Sequence, residues 1–317
     1  MMAVQRKRSW LDFSLAYIDM KWPCAAPKTR DAMTDALASV VPALVTEEPP
    51  EQLDVGSLRY ALRHFLLAPP SRALDRPPVA GAALRWLDKA SLPVREVGTP
   101  KHARAALDAI CVLQDGRAAS ATTIARKRSV FANVLRYAVE MEELPSSPLD
   151  RLSWKPPKVS EVVDRRVVVN PRQARQLLIA VTYVGYQRRG PFARGQRLMA
   201  LYACMYFAAL RPAEAVALRQ QDCYLPAVGW GRLTLEKTRP EVNRRWSDSA
   251  SAHAERGLKH RPATETRQVP IPPNWLRSSA STSIPSGSLR MAGSSAVTGD
   301  DPWPRPLSAM CGPRRGR

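Results

Sequence analysis

Residues 209–222 read Ala-Leu-Arg-Pro-Ala-Glu-Ala-Val-Ala-Leu-Arg-Gln-Gln-Asp and decide how the second half of the chain folds. The segment 196–209 before them is almost wholly apolar and predicts a helix that is buried on all sides. Pro212 stands where proline starts a helix, so a second helix is predicted to begin there. Arg211 therefore lies at a rigid junction between two helices, with Glu214 one turn further on. A fixed and permanently charged guanidinium is suited to binding a phosphate.

The other segments predict a mainly helical chain with few strands. In the first half, apolar residues recur at helical spacing between proline-containing breaks, over 10–20, 30–45, 55–67, 80–91, 101–113 and 120–143. The last of these is the clearest helix, and Thr122 or Thr123 is predicted to cap it. In the second half, Asn170 and Pro171 predict a helix start. Strands are predicted over 165–169, 232–235 and 268–271.

Residues 155–165 are polar and contain proline, which predicts a linker between two domains. The helices of 1–154 form the first domain, and the helices and strands of 166–275 form the second. From 276 to 317 the chain is rich in Ser, Ala and Gly and shows no apolar periodicity. We expect this tail to be disordered and not to belong to the fold.

The 317 residues carry a formal net charge of +20. This surplus favours a polyanion as partner, because Lys and Arg that neutralise phosphates release condensed counterions. A mildly basic cytosolic protein and a ribosome-associated protein are the alternatives. The helix predicted over 120–143 carries a group of basic side chains, interpreted either as contacts to a DNA backbone or as an ordinary solvated face: Arg126, Lys127, Arg128 and Arg136.

The five cysteines show no Cys-x-x-Cys spacing, and no cluster of His and Cys indicates zinc. We therefore expect no metal ion and no small-molecule cofactor. Neither a signal-peptide core nor an apolar run of membrane-spanning length is present in the sequence. We expect a cytoplasmic protein, associated with the nucleoid if it binds DNA, and no membrane partner.

The segment 209–222 resembles the first catalytic box of the tyrosine recombinases, the phage integrase family, which reads roughly Gly-x-Arg-x-x-Glu-x-x-x-Leu-x-x-x-Asp. Arg211 and Glu214 stand at matching positions, as do Leu218 and Asp222, whereas Ala209 replaces the usual Gly. The two strands predicted around the polar stretch 238–266 are similar to the family's hairpin. The resemblance covers about 120–275. It implies double-stranded DNA as partner and leaves self-association on DNA open.

The resemblance implies a helical, SAM-like core-binding domain followed by an α+β catalytic domain with a small β-sheet, incomplete in this chain. It assigns Arg211 to the scissile phosphate and Glu214 to an accessory acid role. The family also has a lysine near the second hairpin strand, which would protonate the leaving 5′-hydroxyl. Lys259 is the preferred match and Lys237 its rival. The alternative for either lysine is a solvated loop charge.

The family's nucleophile is a tyrosine that follows the hairpin, and here the last tyrosine is Tyr224, so no nucleophile is assigned. The family's second arginine lies in a His-x-x-Arg motif, also after the hairpin. His253 and Arg256 have that spacing but precede the second predicted strand, and we interpret them as a chance match. The resemblance therefore implies DNA binding without strand cleavage.

The start of the aberrant tail, at Pro273 or Asn274, suggests a shift of reading frame. G/C-rich codons for these residues, read in another frame, can encode an amphipathic helix in place of the tail. A natural basic tail is the alternative. The sequence thus predicts a truncated or frameshifted recombinase, or else a non-catalytic DNA-binding regulator or accessory factor. An RNA-associated protein is the third hypothesis, and no aromatic RNA-binding motif supports it.

Overall fold

A computed structural model gives the fold and describes residues 8–159, 164–183, 194–226, 228–249, 251–262 and 264–273. The predicted tail, 276–317, lies outside the described residues. The described chain is mainly helical with small antiparallel sheets, as expected. It divides into two compact units. The first, the helical unit, contains 8–159 and 242–249, and the second, the mixed unit, contains the described residues of 164–241 and 251–273.

The helical unit contains seven α-helices, most of which match predicted segments. Their bounds are α1 Trp10–Lys21, α2 Pro27–Val40, α3 Val55–Ala61, α4 Pro78–Ala90, α5 Val94–Val97, α6 Pro100–Ile110 and α7 Ala121–Glu140. A π-helical turn, Leu62–Leu66, follows α3. The cap of α7 is Ser120, whose side chain accepts from the amide of Thr123, so the prediction of a threonine cap is wrong. The hydroxyl of Ser120 reaches this amide because it precedes the first helical residue.

Aromatic residues from the first and last helices of the helical unit, α1 and α7, pack together in its core. Trp10 and Phe13 of α1 are fully buried, and the ring of Phe131 on α7 lies edge-on to Trp10 at a centroid distance of 5.9 Å. Arg59 is also buried and donates to the carbonyl oxygens of Ala109 and Val112 at the end of α6. A helix end leaves such carbonyls without intrahelical partners, so the arginine stabilises this terminus.

The mixed unit contains three helices and five strands. The helices are α8 Pro171–Thr182, α9 Arg194–Phe207 and α10 Pro212–Ala217, and the strands are β1 Cys223–Tyr224, β2 Gly231–Leu235, β3 Lys237–Thr238, β4 Arg256–Gly257 and β5 Arg267–Ile271. Asn170 caps α8 in a capping box with Gln173, which confirms the predicted start of this helix. The strand predicted over 165–169 is wrong: Arg165–Val167 form a 3-10 turn that Asp164 caps.

The strands form two antiparallel sheets, one of order β1-β2-β5 and one that pairs β3 with β4. In the larger sheet Leu233 lies opposite Val269, and Leu235 lies opposite Arg267. The inward face of β2 packs with Leu210 and Leu218, which flank α10, so the core of this unit forms around the junction identified in the sequence. Among the described helices, none combines the length and the apolar composition needed to cross a bilayer.

The division into two units does not follow the order of the chain throughout. The described residues up to 159 belong to the helical unit, and those from 164 to 241 belong to the mixed unit. The segment 242–249, which lies between β3 and β4 in the sequence, belongs to the helical unit. A purely sequential division of the chain therefore cannot describe the two units. The polar composition of 238–266 gave no indication that part of this stretch belongs to the helical unit.

Candidate functional site

The junction that positions Arg211 is built on a left-handed residue. Helix α9 ends at Phe207, Ala209 has φ 50°, and α10 begins at Pro212. This conformation lets the chain reverse so that the amide of Leu210 donates to the carbonyl of Cys204. A left-handed backbone costs an alanine roughly 1–2 kcal/mol more than a glycine. Glycine would therefore fit this position of the backbone with less strain than alanine does.

The centre of the site is the carboxylate of Glu214, which is only 1% exposed. Its Oε2 accepts from the backbone amide of Arg211 at 2.9 Å, and its Oε1 accepts from Arg211 Nη1 at 2.9 Å. A second guanidinium, that of Arg267, donates from Nη2 to Oε2 at 2.7 Å. A buried carboxylate is stable only when it is paired and hydrogen-bonded, and here two cations meet that requirement. We call Arg211, Glu214 and Arg267 the arginine cluster.

Arg211 is held in place and still has N–H donors that pair with no described residue. Its side chain is 52% exposed, and its guanidinium donates through Nη1 alone to a described residue. A guanidinium has five N–H donors in a planar fork. The remaining donors of Arg211 are free, among the described residues, to bind an anion from solvent. The geometry is that of a fixed cation, with Glu214 as its positioning residue.

Arg267 is the member of the cluster that the sequence analysis did not assign to the site. It stands on β5, 53 residues after Glu214, and its side chain is 29% exposed. Its Nε is buried and has no hydrogen-bond partner. The alternation of β5 provided a signal: Arg267 shares a face with Val269 and the buried Ile271, so it had to point inward. An inward arginine needs acceptors for its N–H groups, and Glu214 is one of them.

The structure places the two lysines in different surroundings. Lys237 is on β3, next to α10: the amide of Arg239 donates to the carbonyl of Ala213 at 2.8 Å, and Lys237 lines the same small cavity as Glu214. Lys259 lies in an exposed turn after β4 and has no hydrogen bond or ion pair with a described residue. The surroundings of Lys237 therefore resemble those of a site residue more closely than those of Lys259 do.

Lys237 is already paired with an acid. Its Nζ donates to Glu255 at 3.1 Å, and Arg219 donates to the other oxygen of that carboxylate at 3.3 Å. The hydrogen bond from Lys237 is the main cause that lowers the pKa of Glu255. All three side chains are close to half exposed, so the pair is solvated and weak. An incoming phosphate can replace Glu255 as partner of Lys237 at small cost.

The four basic side chains predicted on the helix of 120–143 differ in their exposure. Arg136 is exposed, and Arg126 is half exposed beside Asp35. Arg128 is half buried over the ring of Trp154, at 5.6 Å from its centroid. Lys127 is 4% exposed, and its ammonium donates to Ser39 at 2.8 Å. The prediction that Lys127 contacts DNA is therefore not supported, because its charge is enclosed in the helical unit.

The His-x-x-Arg match is separated from the arginine cluster in the sequence and makes other contacts. His253 forms an isolated bridge with Glu241, and Arg256 is exposed on β4. No contact joins either residue to Arg211 or Glu214 among those described. This agrees with the interpretation of the match as a coincidence. The bridge between Glu241 and His253 is a backbone pairing, and Nδ1 of His253 is buried without a hydrogen-bond partner among the described residues.

The described residues hold no cluster of His, Cys, Asp and Glu suited to a metal ion. The thiols near the cluster are also unreactive. Burial raises the pKa of Cys204 to about 11 and that of Cys223 to about 12, so both are protonated at neutral pH. The site brings together two fixed guanidinium groups and a nearby ammonium, which are groups suited to anion binding.

We compared the chain with models of protein families, with curated proteins and with solved structures, and none of them matches it.

Proposed function

We propose that this chain binds duplex DNA through a site of the tyrosine recombinase type and does not cleave it. The observation that carries the proposal is the arginine cluster, in which a buried Glu214 fixes a half-exposed Arg211. A phosphate diester needs a fixed bidentate donor, and a guanidinium fork provides it. The net charge of +20 supports a polyanionic partner as well. A protein with this activity works at the nucleoid, in the cytoplasm.

Two further observations support the recombinase type. The junction needs a left-handed backbone where the family consensus has glycine, and Lys237 lies beside α10 as a second cation. Among the lysines, this proposal assigns Lys237 rather than Lys259 to the phosphate. The absence of cleavage rests on the sequence: the 317 residues contain no tyrosine after Tyr224, so these residues supply no nucleophile beyond the hairpin.

The proposal is tested by titrating the chain onto a fluorescent 40-base-pair duplex across a series of salt concentrations. We expect the logarithm of the dissociation constant to rise linearly with the logarithm of salt concentration. Arg211→Ala should weaken binding about 10- to 150-fold, because one charge-assisted hydrogen bond to a phosphate contributes about 1.5–3 kcal/mol. The matched control is Arg261→Ala, which removes the same charge from an exposed pair with Glu265.

Cleavage is tested separately with a nicked suicide duplex, in which a covalent adduct would be trapped and seen on a denaturing gel. We expect no adduct. An adduct would show that a nucleophile exists in the chain and would refute the second half of the proposal. Equal affinities for Arg211→Ala and Arg261→Ala would refute the first half, since binding would then depend on charge alone.

A further inference from the structure

The segment between β3 and β4 behaves as a peptide bound to the helical unit. We call residues 242–249 the arm. Asn243 caps a 3-10 turn, Arg244–Trp246, by accepting from the amide of Arg245 at 3.0 Å. Three residues of the arm make side-chain hydrogen bonds or ring contacts with the described helices: Arg245, Trp246 and Asp248. Four consecutive residues, Arg-Trp-Ser-Asp, thus contain all of these anchors.

Trp246 is the central anchor, and it is 3% exposed. Its ring meets Trp22 edge-on at a centroid distance of 6.2 Å. The guanidinium of Arg63 lies 5.9 Å from its ring centroid, and that of Arg245 lies 5.4 Å from it. An indole is the best aromatic partner for a cation, and tryptophan is enriched among the central residues that dominate binding at protein interfaces.

Arg30 recognises the acidic end of the arm. It is 2% exposed and donates to both oxygens of Asp248, at 2.7 and 2.9 Å, and to the carbonyl of Trp246 at 3.1 Å. These hydrogen bonds lower the pKa of Asp248. The bidentate fork reads carboxylate geometry, so it distinguishes an aspartate from a neutral side chain.

Arg245 fixes the opposite end on the π-helical turn. Its guanidinium donates to the carbonyl of His64 and contacts His64 Nδ1. His64 must be neutral for Nδ1 to accept from a cation. Consistent with this, burial and then the charges of Arg245 and Arg63 lower the pKa of His64. The helical unit therefore contacts the arm at three groups: the guanidinium of Arg245, the indole of Trp246 and the carboxylate of Asp248.

The groups that contact the arm are each held by a second partner in the helical unit. Arg30 donates to the carbonyl of Trp22 at 3.0 Å and lies over its ring. Arg63 donates to Asp31 at 2.6 Å, and His64 stacks on Tyr60 with centroids 4.5 Å apart. These partners do not involve the arm. We therefore expect the binding surface to be preorganised and to keep its shape when the arm leaves, which would reduce the cost of binding.

We propose that the helical unit contains a peptide-binding site, formed by Trp22, Arg30, Arg63 and His64, that recognises an Arg-Trp-Ser-Asp segment and is filled by the arm. The arm is a tethered ligand that dissociates and rebinds as a unit. This inference does not depend on DNA binding. A peptide of the same sequence supplied from outside competes for the same site.

The test uses the full chain with its arm disabled by Trp246→Ala and Asp248→Asn. A fluorescein-labelled peptide of residues 241–250 is titrated onto this variant and onto the unchanged chain. A short tether gives an effective concentration of about 1 mM, so for a peptide dissociation constant of about 10 µM the unchanged chain should bind about 100-fold more weakly. The same peptide carrying Arg244→Ala should bind normally, because Arg244 is exposed and anchors nothing among the described residues. The peptide carrying Trp246→Ala should not bind.

Equal binding to the two chains, or equal binding of the peptide and its Trp246→Ala form, would overturn the proposal. If the variant does not fold, hydrogen exchange of the unchanged chain gives the answer. Free peptide at millimolar concentration should speed exchange at the amide of Trp246, which donates to Asn243 within the arm, and leave α2 protected. Exchange of the arm that is unaffected by the peptide would show that it is a fixed part of the core.

Discussion

The arginine cluster predicts a measurable effect of replacing Glu214 by glutamine. The amide has nearly the same shape as the carboxylate, so no cavity forms and the packing around α10 is kept. The substitution removes the negative charge and turns one acceptor into a donor. Two guanidinium groups, those of Arg211 and Arg267, then compete for a single oxygen. We expect the contact between α10 and β5 to weaken while the helical unit is unchanged.

The magnitude follows from burial. Removing one partner of a buried ion pair costs roughly 3–5 kcal/mol, because the other charge is left uncompensated. Here the carboxylate is 1% exposed but Arg211 is 52% exposed, so that arginine regains water when it is released. Arg267, at 29% exposed, regains less. We therefore take a lower value, about 2–3 kcal/mol, for the discounted loss.

Hydrogen exchange measured by mass spectrometry suits this test, because the two units need not unfold together. A loss of about 2–3 kcal/mol corresponds to exchange that is about 30- to 150-fold faster in α10 and β5. The control is Glu265→Gln, whose exposed pair with Arg261 contributes about 0–1 kcal/mol. If Glu214→Gln changes exchange no more than Glu265→Gln does, the cluster does not hold α10 against β5, and the reasoning fails.

Three further predictions concern the junction, the lysines and the arm. Ala209→Gly should stabilise the mixed unit by about 0.5–1 kcal/mol, because φ 50° strains alanine and not glycine. Slower hydrogen exchange in α9 and α10 would show this stabilisation, and faster exchange would contradict it. Lys237→Ala should reduce the salt slope of duplex binding by about one and Lys259→Ala should leave it unchanged; the reverse order would restore the preference for Lys259. The pKa of His64 is lowered in the folded chain, so the unfolded chain binds a proton at this residue more readily. The stability that neutral His64 contributes to the folded state is therefore fully present above pH 6.5 and is lost as the pH falls through the lowered pKa. Exchange of the arm, corrected for intrinsic rates, should therefore rise as the pH falls below 6.5, and His64→Gln should remove that dependence.

The local features of the fold were predictable because they depend on short-range chemistry. Asn170 followed by Pro171 starts a helix by capping and by a fixed φ, and both act within four residues. The same holds for the junction at Pro212. The strand predicted over 165–169 failed because β-branched residues favour strands only when a neighbour pairs with them. Here Asp164 accepts from the amide of Arg166 and turns the chain instead.

The parts that sequence reasoning missed depend on contacts far apart in the chain. Arg267 meets Glu214 only after β5 has paired with β2, and Arg30 meets Asp248 across 218 residues. Contacts between residues this far apart produce no periodic pattern in the sequence that could predict them. A burial argument recovers part of the information, since an arginine on the inward face of a strand needs acceptors, and an acid is a favourable one. It does not say which acid, and that choice is made by the sheet register.

The two arginine-centred sites use one chemical principle for different purposes. In the mixed unit a buried carboxylate holds a half-exposed guanidinium, so the free donors face solvent and an anion from outside can bind. In the helical unit the arrangement is reversed: Arg30 is buried, and the exposed Asp248 of the arm comes to it. Exposure of the cation, not its identity, therefore decides whether a site binds an external anion or a segment of the chain. On this basis Arg211, and not the buried Arg30 or Lys127, is the group available to an external anion.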